Sequence, residues 1–153
     1  MAWSGSAAFR QLVADMIGNT TAFDYDADTI KLAGFDNTIT PDKNVSAAAS
    51  AYGAGVWASG GVSGTNFPAA GLTLASKTVL VSTSNVVTVD AADLAVTGTA
   101  LTNLTGLLCY DDSLTTPVAD QGQSYHYLGG SNTVTGDVNL ILSANGLVQY
   151  TLS

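Results

Sequence analysis

A chain of 153 residues is of single-domain size, long enough to bury a core without disulfides or a structural metal. Charged residues make up only 10% of it: all 12 acidic residues are Asp, and the basic side is Arg10, Lys31, Lys43 and Lys77. A formal charge of −8 with no basic run argues against nucleic-acid binding, since nothing would neutralise a phosphate backbone. No segment reaches the roughly 18 apolar residues of a membrane span. The N-terminus lacks a basic stretch followed by an apolar run, so the expectation is a soluble protein made in the cytoplasm without an export signal.

Phe9, Leu12, Val13, Met16 and Ile17 repeat at helical spacing and predict an amphipathic helix over about residues 6–18. Ser6 stands where a cap would start it, and Gly18 and Asn19 where it would end. The expectation is that its stripe docks on the domain's own sheet. The period then changes to two, predicting a strand from about Thr29 to Phe35. A short Ala-rich helix is expected between Pro41 and Gly53. From Gly53 to Gly71 the chain is Gly, Ser, Ala and aromatics, which reads as a long loop, and loops of that length usually have a task. Tyr52, Trp57 and Phe67 are its candidate interface anchors, because aromatic residues carry much of the energy of protein interfaces. A loop folded back over the core is the competing reading.

The C-terminal half, about 72–153, is β-rich. "KTVLV" and "VVTVD" flank "STSN", which has hairpin composition, and "LAVTGTALTNLTGLLCY" supplies one or two further strands. Val138, Leu140 and Leu142 alternate on one side of "SANG", and Val148, Tyr150 and Leu152 on the other, the clearest hairpin pattern in the chain. One amphipathic helix, a second short helix and seven or eight strands predict a mainly β, β-sandwich-like two-layer fold in a single domain spanning 1–153.

Three groups of residues are candidates for chemistry. Cys109, in "LLCYDDSL", reads as a buried strand residue, with Asp111 and Asp112 in the turn that ends the strand. A nucleophilic cysteine would need a base, and His126 is the only histidine; alternation places it on the face opposite Tyr125 and Tyr127. Asp24, Asp26 and Asp28 occupy odd positions of a calcium loop, but Thr29 stands where that loop requires Gly and Phe35 where it requires a bidentate Glu, leaving a weak candidate metal site. One Cys and one His cannot make a structural zinc site. The Gly-rich loop matches no phosphate-binding fingerprint. With so few catalytic side-chain types, the expectation is no enzyme, no catalytic residues and no cofactor.

The segments "AFRQLVADMIG", "TIKLAGFDNTITPD", "AYGAGVWASGGVSGTNFPAAGLTLASKTV", "LLCYDDS", "PVADQGQSYHYLGG" and "GDVNLILSANGLVQYTL", in that order, resemble a group of small accessory virion structural proteins of tailed bacteriophages. The resemblance covers nearly the whole chain. It implies a capsid decoration or minor capsid protein on the outer capsid surface, synthesised in the host cytoplasm. Its partner would be the major capsid protein, with self-association, a trimer by analogy. A minor tail or receptor-adhesion protein of the virion is the alternative. An acidic chain suits the outer face of a shell, where it is not repelled by the enclosed genome.

Overall fold

The structure, a computed structural model, describes residues 3–82, 85–143 and 145–151. Two antiparallel sheets and two helices form a β-sandwich-like fold. In chain order the elements are β1 (Ala7–Ala8), α1 (Arg10–Ile17), β2 (Ile30–Phe35), α2 (Ala47–Ser50), a 3-10 turn (Gly55–Ala58), β3 (Gly61–Val62), β4 (Leu72–Thr73), β5 (Thr78–Val81), β6 (Val86–Asp90), β7 (Leu94–Asp111), β8 (Gly122–Leu140) and β9 (Val148–Thr151). The larger sheet runs β1-β8-β7-β2-β3, with β4 also on β2; the smaller runs β5-β6-β9.

The larger sheet is buried on both faces where β2, β7 and β8 meet. Ile30 and Leu32 of β2 join Leu107 and Cys109 of β7 in a core facing the smaller sheet, with Val89, Leu101 and Phe67. Ala33 and Phe35 join Leu108 and Tyr110 in a second core with Trp3, Phe9 and Trp57. The alternation of a strand assigns successive residues to opposite faces, so a continuous apolar run serves both cores. Gly106 makes the second core fit: a Cβ there would enter the Trp3 ring. Trp3 in turn stands edge-on to Trp57, at 5.9 Å between ring centroids, and donates its indole N–H to the Asp36 carbonyl at 2.7 Å.

Four local expectations are corrected. Helix α1 begins at Arg10, not Ser6, because Ala7 and Ala8 pair with Tyr125 and Ser124 as an edge strand. The Ser6 hydroxyl accepts from the Tyr127 amide at 2.9 Å and so caps nothing. The helix ends as expected, with Asn19 in the left-handed conformation at φ 52° and Gly18 N–H bonded to Ala14 O. Only part of the stripe docks: Phe9 and Leu12 are buried, while Met16 and Ile17 are exposed.

"LAVTGTALTNLTGLLCY" lies within one strand of 18 residues, which pairs along its length with β8 and is interrupted by bulges. Opposite the apolar-alternating end of β8, the expected terminal hairpin is absent. The "SANG" segment does turn, with Gly146 N–H bonded to Ser143 O, but Leu147 N–H then bonds Val89 O and β9 pairs with β6 of the other sheet. The turn therefore carries the chain across the sandwich, and a period-two pattern on each side of it is equally consistent with strands in different sheets. Leu152 lies outside the described residues. The "KTVLV"/"VVTVD" pair does form antiparallel β5 and β6, with Thr78 opposite Asp90; two residues of the intervening "STSN" lie outside the described residues.

Candidate functional site

Register brings Cys109 and His126 onto one face of the larger sheet: Cys109 is opposite Ser124 and Leu107 opposite His126. They do not form a dyad. The Cys109 thiol donates to Gln123 Oε1 at 3.1 Å, and His126 Nε2 is 2.8 Å from the Ser124 hydroxyl. Burial pushes the thiol far above its ordinary value and the imidazole down to about 4, so both are held neutral at pH 7. A buried neutral thiol has neither the thiolate nor the access that nucleophilic attack requires.

The "DYDAD" segment is a turn, closed by Asp28 N–H to Asp24 O at 2.8 Å and by Asp24 N–H to Asp28 Oδ2 at 2.7 Å. Asp24 and Asp26 are exposed. Asp28 points instead to Asp111, 83 positions later. Asp111 is fully buried, and its Oδ1 accepts from the Ser113 amide and hydroxyl and from the Leu114 amide, at 2.9, 2.7 and 3.1 Å. This makes Asp111 the cap of the turn that ends β7. Its Oδ2 has no donor from the chain, and the Asp28 carboxyl lies against it. Burial, then the Asp28 carboxyl, raises Asp111 to about 6. Among the described residues no three His, Cys or Asp side chains converge to hold a metal ion.

The aromatic anchors expected on the long loop are in the core. Trp57 is 2% exposed and Phe67 is 0% exposed, so neither offers a face to a partner. Tyr52 is half-buried and stacks on Tyr110 at 4.7 Å. The Tyr110 hydroxyl donates to Ala70 O at 2.7 Å and fastens the end of the loop to the sheet. An apolar aromatic in a Gly-rich segment has a large hydrophobic driving force and little backbone restriction, and here burial prevails.

Exposed apolar surface lies elsewhere. All four residues of β5 are exposed, with Val79, Leu80 and Val81 at 44, 60 and 81%. It is the outer strand of the smaller sheet, and among the described residues nothing pairs with its other edge. Val79 stands opposite Val89, Val81 opposite Val87, and Val87 opposite Tyr150, so these side chains share the inner face. Beneath that face is a cleft of about 480 Å3, bounded across from the sheet by Met16 of α1 and by Phe23 and Tyr25 of the acidic turn. The sandwich is thus unfilled at one corner.

Comparison with family models, with curated proteins and with solved structures returns no significant match. The site therefore rests on its geometry. "KTVLV" signalled a strand; only tertiary structure shows that all four residues of β5 are exposed. Trp3 and the Asp28–Asp111 contact carried no local signal.

Proposed function

We propose that the chain is a non-enzymatic virion structural protein, a capsid decoration protein that cements the head of a tailed bacteriophage. The observation that carries this reading is the open apolar edge of β5 above its unfilled cleft. Though only four residues long, β5 is an edge strand with exposed apolar side chains, and an uncovered apolar edge marks a pairing surface. The chain's acidity supports a position on the outside of a shell, with the major capsid protein as the partner of that surface. Few long charged side chains also means little rotamer entropy to lose when surfaces lock together. Closed cyclic self-association, with a trimer as the working assignment, suits sites between shell subunits.

Cementing acts by mass action: a protein that binds the assembled shell and not the separated subunits stabilises the assembled state. Particles lacking the protein are expected to assemble and then to break at lower temperature or on osmotic shock. Unchanged particle stability would overturn cementing.

A minor tail or receptor-adhesion role has one observation of its own. A groove of about 460 Å3 is lined by neutral polar side chains, Asn37, Thr38, Thr40 and Ser131, beside the Tyr127 ring. Hydroxyls and amides around an aromatic face suit a neutral sugar. Labelling the protein on intact virions separates the readings: label over the head supports decoration, and label confined to the tail supports adhesion.

A further inference from the structure

We infer that the open edge of β5 and the cleft beneath it receive an extended, apolar segment of a partner chain, flanked by basic residues, by strand addition. The inference deepens the assembly reading and rests on it for the partner's place in the particle.

Strand addition needs an unpaired edge and pockets for alternate side chains. Both are present on one element: β5 offers its outer backbone edge, and the side chains of an added strand that point inward would continue the Val79–Val89 face over the cleft. The wall of the cleft also holds unmatched polar atoms. Tyr25 is 4% exposed, yet its hydroxyl has no hydrogen-bond partner, and the buried Thr21 hydroxyl is likewise unpartnered; both residues line the cleft. A buried hydroxyl left unmatched costs free energy, so this wall is not optimised as a closed core. With Asp24, Asp26 and Gln123 among its apolar lining, the cleft suits an occupant that carries some hydroxyl or amide groups among apolar side chains.

Charge decides between occupants. Asp24 and Asp26 line the cleft, and Asp90 stands opposite Thr78 at the start of β5. Lys77 precedes β5, and the whole chain carries −8. A second copy would bring a like-charged surface to this rim, which is unfavourable, whereas lysines or arginines flanking a foreign apolar strand are attracted to it.

The test uses the full chain and two synthetic peptides of alternating valine and threonine, one with lysine at each end and one with glutamate. Amide shifts should appear at Val79, Leu80, Val81 and Tyr25 with the lysine peptide. Exchange of the outward β5 amides should slow at least tenfold, and the glutamate peptide should bind at least tenfold more weakly at low salt. Val79→Lys should abolish binding. The double variant Asp24→Lys with Asp26→Lys, which leaves the apolar cleft intact, should reverse the preference between peptides. Equal affinity for the two peptides, shifts in the cleft without protection of β5, or protection of β5 that grows with protein concentration in the absence of peptide would each overturn the inference. The two readings fail separately. A Val79→Lys protein that still decorates heads sinks strand addition alone, while peptide binding by a protein absent from heads sinks decoration alone.

Discussion

Two short, largely apolar runs, Leu107–Tyr110 in β7 and Thr78–Val81 in β5, are alike in character and opposite in fate. In the first, Leu107 and Cys109 enter one core and Leu108 and Tyr110 the other, and every residue is buried. In the second, every residue is exposed. Apolar content on both faces of a strand states a demand for cover. Whether the demand is met depends on the strand's place in the sheet: β7 is central, flanked by β8 and β2, and β5 is an edge. The unmet demand is what points outside the chain.

The contrast breaks most readily at β7. Leu108→Ala should cost the isolated protein about 2–5 kcal/mol in urea denaturation, because a fully buried leucine leaves a cavity between close-packed neighbours. A loss below about 1 kcal/mol would mean that this core collapses freely around the gap. The matching change in β5, Leu80→Ala, belongs at the other end of the scale, below.

The buried end of β7 also sets an unusual pH response. Asp111 has its ordinary value near 3.8 when unfolded and about 6 when folded, so between those values the folded state binds more protons. Its contribution is fully present below pH 3.8 and is lost as pH rises through 6, on the order of 1–3 kcal/mol. Asn at 111 retains an oxygen for the Ser113 and Leu114 donors and places an amide N–H toward Asp28. Asp111→Asn should therefore raise Tm at pH 7.5 and gain less than the native protein on acidification to pH 5. A variant that is destabilised at both pH values would show that Asp111 is not held protonated in the folded state.

Smaller effects sharpen the comparison at the surface. Ser46 caps α2 by accepting from the Ala49 amide at 3.3 Å, and Ser46→Ala should cost about 0.5–1 kcal/mol by thermal melting. The Lys31–Asp112 ion pair, at 2.7 Å beside the end of β7, is partly solvated and should contribute about 0–1 kcal/mol in a double-mutant cycle, declining with salt. Last comes Leu80→Ala, expected within about 0.5 kcal/mol in the isolated chain because the side chain is 60% exposed and little packing is lost. A large loss there would mean that β5 is covered in solution, by another copy of the chain.

Legibility followed the range of the interactions involved. The strand at Ile30–Phe35, the Ala-rich helix, the end of α1 at Asn19 and the β5–β6 pair were written in local pattern and turn chemistry, each decided within a few residues. The last pair of strands misled because alternation names a face and not a neighbour: β8 and β9 lie in different sheets. The loop aromatics misled because "aromatic in a Gly-rich segment" describes an interface anchor and a core plug equally well, and Trp3, Phe9, Phe35 and Tyr125 close around Trp57. The site itself was half-legible: its strand could be read, its exposure could not.

By itself the sequence determined a β-rich, acidic chain with a buried strand at Leu107–Tyr110 and a turn at Asp111, since period, propensity and turn residues act over a few positions. Tertiary structure decided that Asp28 meets Asp111, that Trp57 and Phe67 are buried, and that Val79–Val81 are not. Each depends on which distant segments share a face, and on where the described elements leave the sandwich open.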